Sequence, residues 1–146
     1  MDNKYIENIV FHRINTTTQL LELDRNSGVE IDIRSNNGEL LLSHDPIDPH
    51  VKYEKLDHFL NFYQNQFIVA NIKESGVEEK VIDALGNKTN KFFLLDCEMP
   101  FIINNYKKLG KYLSIRYSKK EPIENVIEFM DWIRWIWIDT YDLVDL

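Results

Sequence analysis

The chain has 146 residues, 44% of them hydrophobic and 28% charged, and a net charge of −7. That length and balance fit one globular domain and exclude a disordered chain. The acidic surplus and the lack of a basic stripe exclude a nucleic-acid backbone as the main partner, while a small phosphate needs only a few local cations.

In chain order, the first predicted element is a strand over residues 9–14, followed by a helix over 17–25 that Thr16 is placed to cap. A strand over 28–35 runs into Asn36-Asn37-Gly38, a turn signal, so the next strand, 40–44, is expected to pair back onto it as a hairpin. A helix over 53–63 carries Leu56, Phe59, Leu60 and Tyr63 at helical spacing. A strand over 67–73 precedes a helix over 77–85, built on Val77, Val81, Ile82 and Leu85. A strand over 92–98 and a helix over 101–109 come next, with Gly86 and Gly110 where helix C-caps belong. The chain closes with a strand over 113–118, a helix over 123–132 on Ile123, Val126, Ile127 and Met130, and a strand over 135–140.

Such alternation argues for parallel strands joined by crossover helices in a single domain over residues 1–146. The expected fold class is α/β, an incomplete TIM-type (β/α) barrel with about six barrel strands plus the local hairpin strand. A closed barrel needs about eight strands, so the reading expects a homo-oligomer whose partner chain covers the open edge. The aromatic run Trp132, Trp135, Trp137 and Tyr141 suits either a buried seam or packing within the barrel wall. The lone cysteine, Cys97, lies in an apolar run as a small buried hydrophobe and allows no disulfide framework. Met1-Asp2-Asn3-Lys4-Tyr5 lacks a signal-peptide apolar region, and no apolar run nears the ~20 residues of a membrane span. The expectation is a soluble cytoplasmic protein.

Polar residues gather at the strand ends: His12-Arg13, Glu30 and Asp32 and then Arg34, His44-Asp45, Asn71 and Lys73, Asp96 and Glu98, Arg116, and Asp139. Residues i and i+2 of a strand share a face, so Val29, Ile31 and Ile33 point one way and Glu30 and Asp32 the other. A parallel strand turns its branched face to the helices, which sends the carboxylate face toward the barrel mouth, where chemistry is kept. Two buried carboxylates need a partner. Oxygen ligands select a hard divalent cation such as Mg²⁺ or Ca²⁺. His12 and His44 end neighbouring strands at the height of that pair and suit the transfer of a proton near neutral pH. Arg13 and Lys73 bring positive charge to the same mouth, suited to phosphate oxygens. Arg116 is open between that role and an ion pair with the nearby acids. His50 and His58 read as surface residues.

The series His12-Arg13, Glu30-x-Asp32 and His44-Asp45-Pro46, followed by Asn71-Ile72-Lys73-Glu74-Ser75-Gly76, resembles the glycerophosphodiester phosphodiesterases over roughly residues 9–139. The resemblance implies a TIM barrel of the phospholipase-C-like phosphodiesterase superfamily, truncated or divergent, that hydrolyses small phosphodiesters with a divalent metal. It implies His12 and His44 as general acid and base, Arg13 as a phosphate ligand, and Glu30 and Asp32 as metal ligands. Lys73 matches the lysine of the family's Glu-x-Lys element, and Asn71 stands where that element has a third metal-ligating Glu. Ile14 stands where the family has Gly after His-Arg. A barrel that binds a phosphorylated sugar or lipid headgroup without turnover, and a lyase that forms a cyclic phosphate, are the alternatives.

Overall fold

The structure, a computed structural model, describes residues 9–140. The chain divides into two units, the first ending at Phe92 and the second starting at Phe93. In the first unit, β1 (Val10–Phe11) and α1 (Thr17–Leu21) precede β2 (Gly28–Asn36), β3 (Glu39–Leu42) and β4 (Glu54–Lys55). Then come α2 (Leu56–Phe62), β5 (Phe67–Ile72) and α3 (Glu78–Gly86).

The long strand β2 organises this unit. It runs parallel to β5 from Gly28↔Phe67 to Ile33↔Ile72, and parallel to β1 at Gly28 and Val29. Its far end turns at Asn37 and Gly38, both with positive φ (50° and 80°) as a tight hairpin turn requires. The hairpin expectation holds: β3 returns antiparallel, from Asn36↔Glu39 to Ile33↔Leu42. Val29, Ile31 and Ile33 are fully buried, with Leu56 and Phe59 of α2, Ile68 and Ala70 of β5, and Val81 and Leu85 of α3 also in the core. Full burial stabilises each large apolar side chain by roughly 1.5–3 kcal/mol. Thr16 caps α1 in a reciprocal capping box with Gln19.

The second unit holds most of β6 (Phe92–Leu95), then α4 (Met99–Leu109), a 3₁₀ turn (Gly110–Tyr112), β7 (Ser114–Tyr117), α5 (Ile123–Phe129) and β8 (Trp135–Ile138). β7 and β8 form a two-stranded parallel sheet, and Leu94 bridges Leu113. Trp135 stacks on Phe93 with centroids 5.0 Å apart, Trp137 meets the same ring edge-on at 6.4 Å, and Trp132 packs against Tyr106. Tyr141, the last member of that aromatic run, lies outside the described residues. Gly110 is the C-cap of α4, but in the right-handed region. Its need is space, because a Cβ there would meet the Trp132 carbonyl oxygen at 2.2 Å.

The barrel expectation is overturned. β3 and β4 are antiparallel neighbours, and the first unit's strand order β4-β3-β2-β5 is that of an open mixed sheet. The β7–β8 pair is a sheet of two strands only. The alternation of strands and helices predicts parallel strands around one local hairpin. The hairpin instead becomes part of the main sheet, because Glu54-Lys55 extends it by pairing antiparallel with Leu42 and Leu41. That pairing also removes the first turn of the expected helix over 53–63, since Lys55 is extended and α2 starts at Leu56. An open barrel edge awaiting a partner is therefore not a feature of this fold. Among the described residues, no helix is long and apolar enough to cross a membrane.

Candidate functional site

The site is built around one face of β2. Glu30 and Asp32 alternate with the apolar residues and are themselves 2% and 0% exposed. Carboxylates so deeply buried demand donors or cations. Asn71, on β5 opposite Asp32 in the register, donates its Nδ2 to Glu30 Oε1 at 3.0 Å. The other Glu30 oxygen accepts the Arg13 backbone N–H at 2.7 Å, and His12 Nδ1 stands 3.7 Å from it. Asn15 and Asp32 bond reciprocally. The Asn15 amide donates to Asp32 Oδ2 at 2.8 Å, and Asn15 Oδ1 accepts the Asp32 N–H at 2.8 Å. Lys73 Nζ lies 3.2 Å from Asp32 Oδ1, an ion-pair contact without hydrogen-bond geometry.

Arg13 occupies the left-handed region at φ 56°, uncommon for a residue with a side chain. That turn points its N–H at the Glu30 carboxylate, while the Ile14 N–H bonds the Glu30 carbonyl at 2.9 Å. Strained backbone of this kind persists where surrounding contacts over-determine it. The Arg13 guanidinium reaches His44 Nε2 at 3.1 Å, and His44 Nδ1 is 2.9 Å from Asp45 Oδ1. A guanidinium has no acceptor, so Nε2 must accept in this contact and the ring proton sits on Nδ1, facing Asp45. The hydrogen bond from His44 holds the Asp45 carboxyl below its usual range. Arg34 donates to the carbonyls of His44 and Lys73 at 3.0 and 3.2 Å, tying together the chain ends that follow β3 and β5.

The expected residues therefore divide. In the first unit, His12, Arg13, Glu30, His44 and Asn71 are linked by direct contacts, and the Asp32–Lys73 pair joins them through Arg34, which bonds the carbonyls of Lys73 and His44. Lys73 is held on Asp32 rather than extended toward solvent. Arg116 belongs to the second unit, where it donates to Asp96 at 2.9 Å and pairs with Asp139. Burial alone would lower its pKa, but the two carboxylates outweigh that and raise it, which is the ion-pair reading of Arg116. Three contributors escaped sequence reasoning. Asn15 follows His12-Arg13-Ile14 with nothing to mark it as a ligand of Asp32. Asp45 was visible only as the neighbour of His44, and Arg34 only as a polar strand-end residue. His50 and His58 are exposed, as expected.

The donor set suits a hard cation. Glu30, Asp32 and Asn71 lie on adjacent strands facing one way, and Asn71 Oδ1 is buried with no hydrogen-bond partner. Among the described residues, no three His, Cys, Asp or Glu side chains converge as a metal set. The third ligand would have to be that amide oxygen, a donor hard cations accept.

What the fold and site define is a class: an α/β protein with two buried carboxylates on one strand of a mixed sheet, one of them joined to an imidazole through an arginine. Comparison of the chain with protein-family models, curated proteins and solved structures returned no match.

Proposed function

We propose that this chain is a metal-dependent phosphodiester hydrolase, acting on small glycerophosphodiester-like substrates in the manner of the family its motifs resemble. The reading is carried by Arg13, whose backbone N–H binds Glu30 and whose guanidinium binds His44, so that a buried carboxylate and an imidazole meet at one residue, with His12 3.7 Å from the same carboxylate. A Mg²⁺ or Ca²⁺ ion on Glu30, Asp32 and Asn71 Oδ1 would polarise a phosphodiester oxygen and offset transition-state charge.

The chain's own groups do the rest. An arriving phosphate draws the Arg13 guanidinium away from His44, because an anion offers it two charged acceptors. His44 Nε2 is then free. With its proton fixed on Nδ1 by Asp45, His44 takes a proton from water as general base. His12, 3.7 Å from the Glu30 carboxylate, protonates the leaving alcohol. Lys73 balances Asp32 and supplies a point charge to the phosphate. A cytoplasmic location belongs to the same proposal.

Phosphorus NMR of a glycerophosphodiester incubated with the protein and Mg²⁺ or Ca²⁺ tests this. A phosphomonoester that carries oxygen from labelled water is expected. A cyclic phosphate would make the protein a lyase, and an unchanged diester a binder.

A further inference from the structure

A second groove of the first unit, of about 460 Å³, is lined by Thr16, Lys52, Tyr53, Glu54, Lys55 and His58. None of these residues takes part in the chemistry above, yet the groove is joined to it on two sides. Thr16 follows Asn15, whose amide binds Asp32. Glu54 is the register partner of Leu42, two residues before His44. The groove is therefore walled by the segment that follows His12-Arg13 and by the strand paired with the one that leads to His44. Its size is within the range of small-molecule sites.

Its polar atoms have a definite sign. Both Glu54 oxygens are taken, Oε1 by His58 Nδ1 and Oε2 by the Thr17 N–H at 3.2 Å. Lys55 is paired with Glu39. Lys52 is exposed and, among the described residues, in no ion pair. The Tyr53 hydroxyl oxygen accepts the Asp48 N–H at 2.9 Å, which leaves its own hydrogen to donate. What the groove offers a ligand is thus an ammonium and a phenolic O–H. Both seek oxygen acceptors. A trimethylammonium group has none and meets a like charge.

We propose that this groove receives the alcohol substituent of the phosphodiester and selects uncharged, hydroxyl-rich alcohols over quaternary-ammonium ones. The proposal rests on the phosphodiester reading of the adjoining site and adds the substrate class to it.

Calorimetric titration of the full chain, with Mg²⁺ present, would compare glycerophosphoinositol with glycerophosphocholine. Binding of the inositol ester should be about tenfold tighter, since a site built to donate hydrogen bonds rejects a ligand with nothing to accept them. Lys52→Glu should remove most of that preference and Lys52→Ala part of it. Both variants should keep the melting temperature of the wild type, since Lys52 is exposed. Equal or tighter binding of the choline ester, or a preference unmoved by Lys52→Glu, overturns the groove assignment even if bis(p-nitrophenyl) phosphate is cleaved. A preference for the inositol ester in a protein that cleaves neither compound supports the groove and removes the hydrolase reading.

Discussion

Arg13 is where the local chemistry is most demanding. Its left-handed backbone supplies an N–H to Glu30, and its side chain donates to His44 Nε2. If the imidazoles divide the acid and base roles, His12→Ala and His44→Ala should each lower kcat by ~10²–10⁴-fold. Steady-state rates with a glycerophosphodiester check this, and a loss below tenfold in both would remove those roles. Asp45→Asn keeps the shape but weakens the fixing of the His44 proton, so kcat should fall while KM changes little. The sign of the pH effect follows from the lowered Asp45 carboxyl: its contact with His44 is intact above the ordinary carboxylate value and lost as pH falls through the lowered one. At Asn71 the amide stands between the carboxylates without charge. Asn71→Asp should tighten Mg²⁺ or Ca²⁺ binding about tenfold, since ligand charge sets affinity. The same change should lower the melting temperature of the metal-free protein, because a third buried carboxylate lacks a partner. Calorimetric and thermal titrations of the two proteins read both effects.

At the scale of elements, the alternation along β2 was fully legible. Val-Glu-Ile-Asp-Ile declares one apolar and one acidic face, and both are buried. Asn37-Gly38 announced its hairpin equally well. β4 was not legible, because Glu54 and Lys55 before an apolar helical pattern look like a helix start, and only their pairing with Leu42 and Leu41 makes them a strand. The left-handed residues Arg13 and Asp96 were invisible too, since neither is the glycine that marks such a position. The joint of β4 and α2 gives a stability test. Burial alone would raise the Glu54 carboxyl, but hydrogen bonds from His58 and Thr17 outweigh it and lower it. Its stabilisation is present above the ordinary carboxyl value and lost as pH falls through the lowered one. Wild type should therefore lose more melting temperature than Glu54→Gln between about pH 5 and pH 3. In the second unit, Gly110→Ala would drive a methyl into the Trp132 carbonyl at 2.2 Å. A loss of roughly 1–3 kcal/mol, typical of overpacking, is expected in denaturant unfolding.

For the whole molecule, the sequence pattern placed the cluster better than it placed the architecture. His12, Arg13, Glu30, Asp32, His44, Asn71 and Lys73 were marked by lying at the ends of apolar runs, and strand ends on one side of a sheet come together whether or not the sheet closes. Closure itself is a long-range property of strand direction and partner choice, and short strands such as β4 decide it without leaving a periodic signal. Arg116 shows the limit of the same reasoning, because a strand-end cation is equally suited to a phosphate or to the carboxylates of Asp96 and Asp139, which hold it here. The excess of acid over base across the chain, −7 in all, gives the protein no broad attraction to polyanions.

The central claim is that the buried carboxylates, with a cation, and the two imidazoles act together on a phosphodiester. Cleavage of bis(p-nitrophenyl) phosphate by the full chain tests it most directly, measured with Mg²⁺ or Ca²⁺, after chelation, and after the ion is restored. Metal-dependent cleavage that chelation abolishes and the ion restores is the predicted result, with Asp32→Asn inactive throughout. No cleavage with any divalent ion, or a rate untouched by both the chelator and Asp32→Asn, would contradict it.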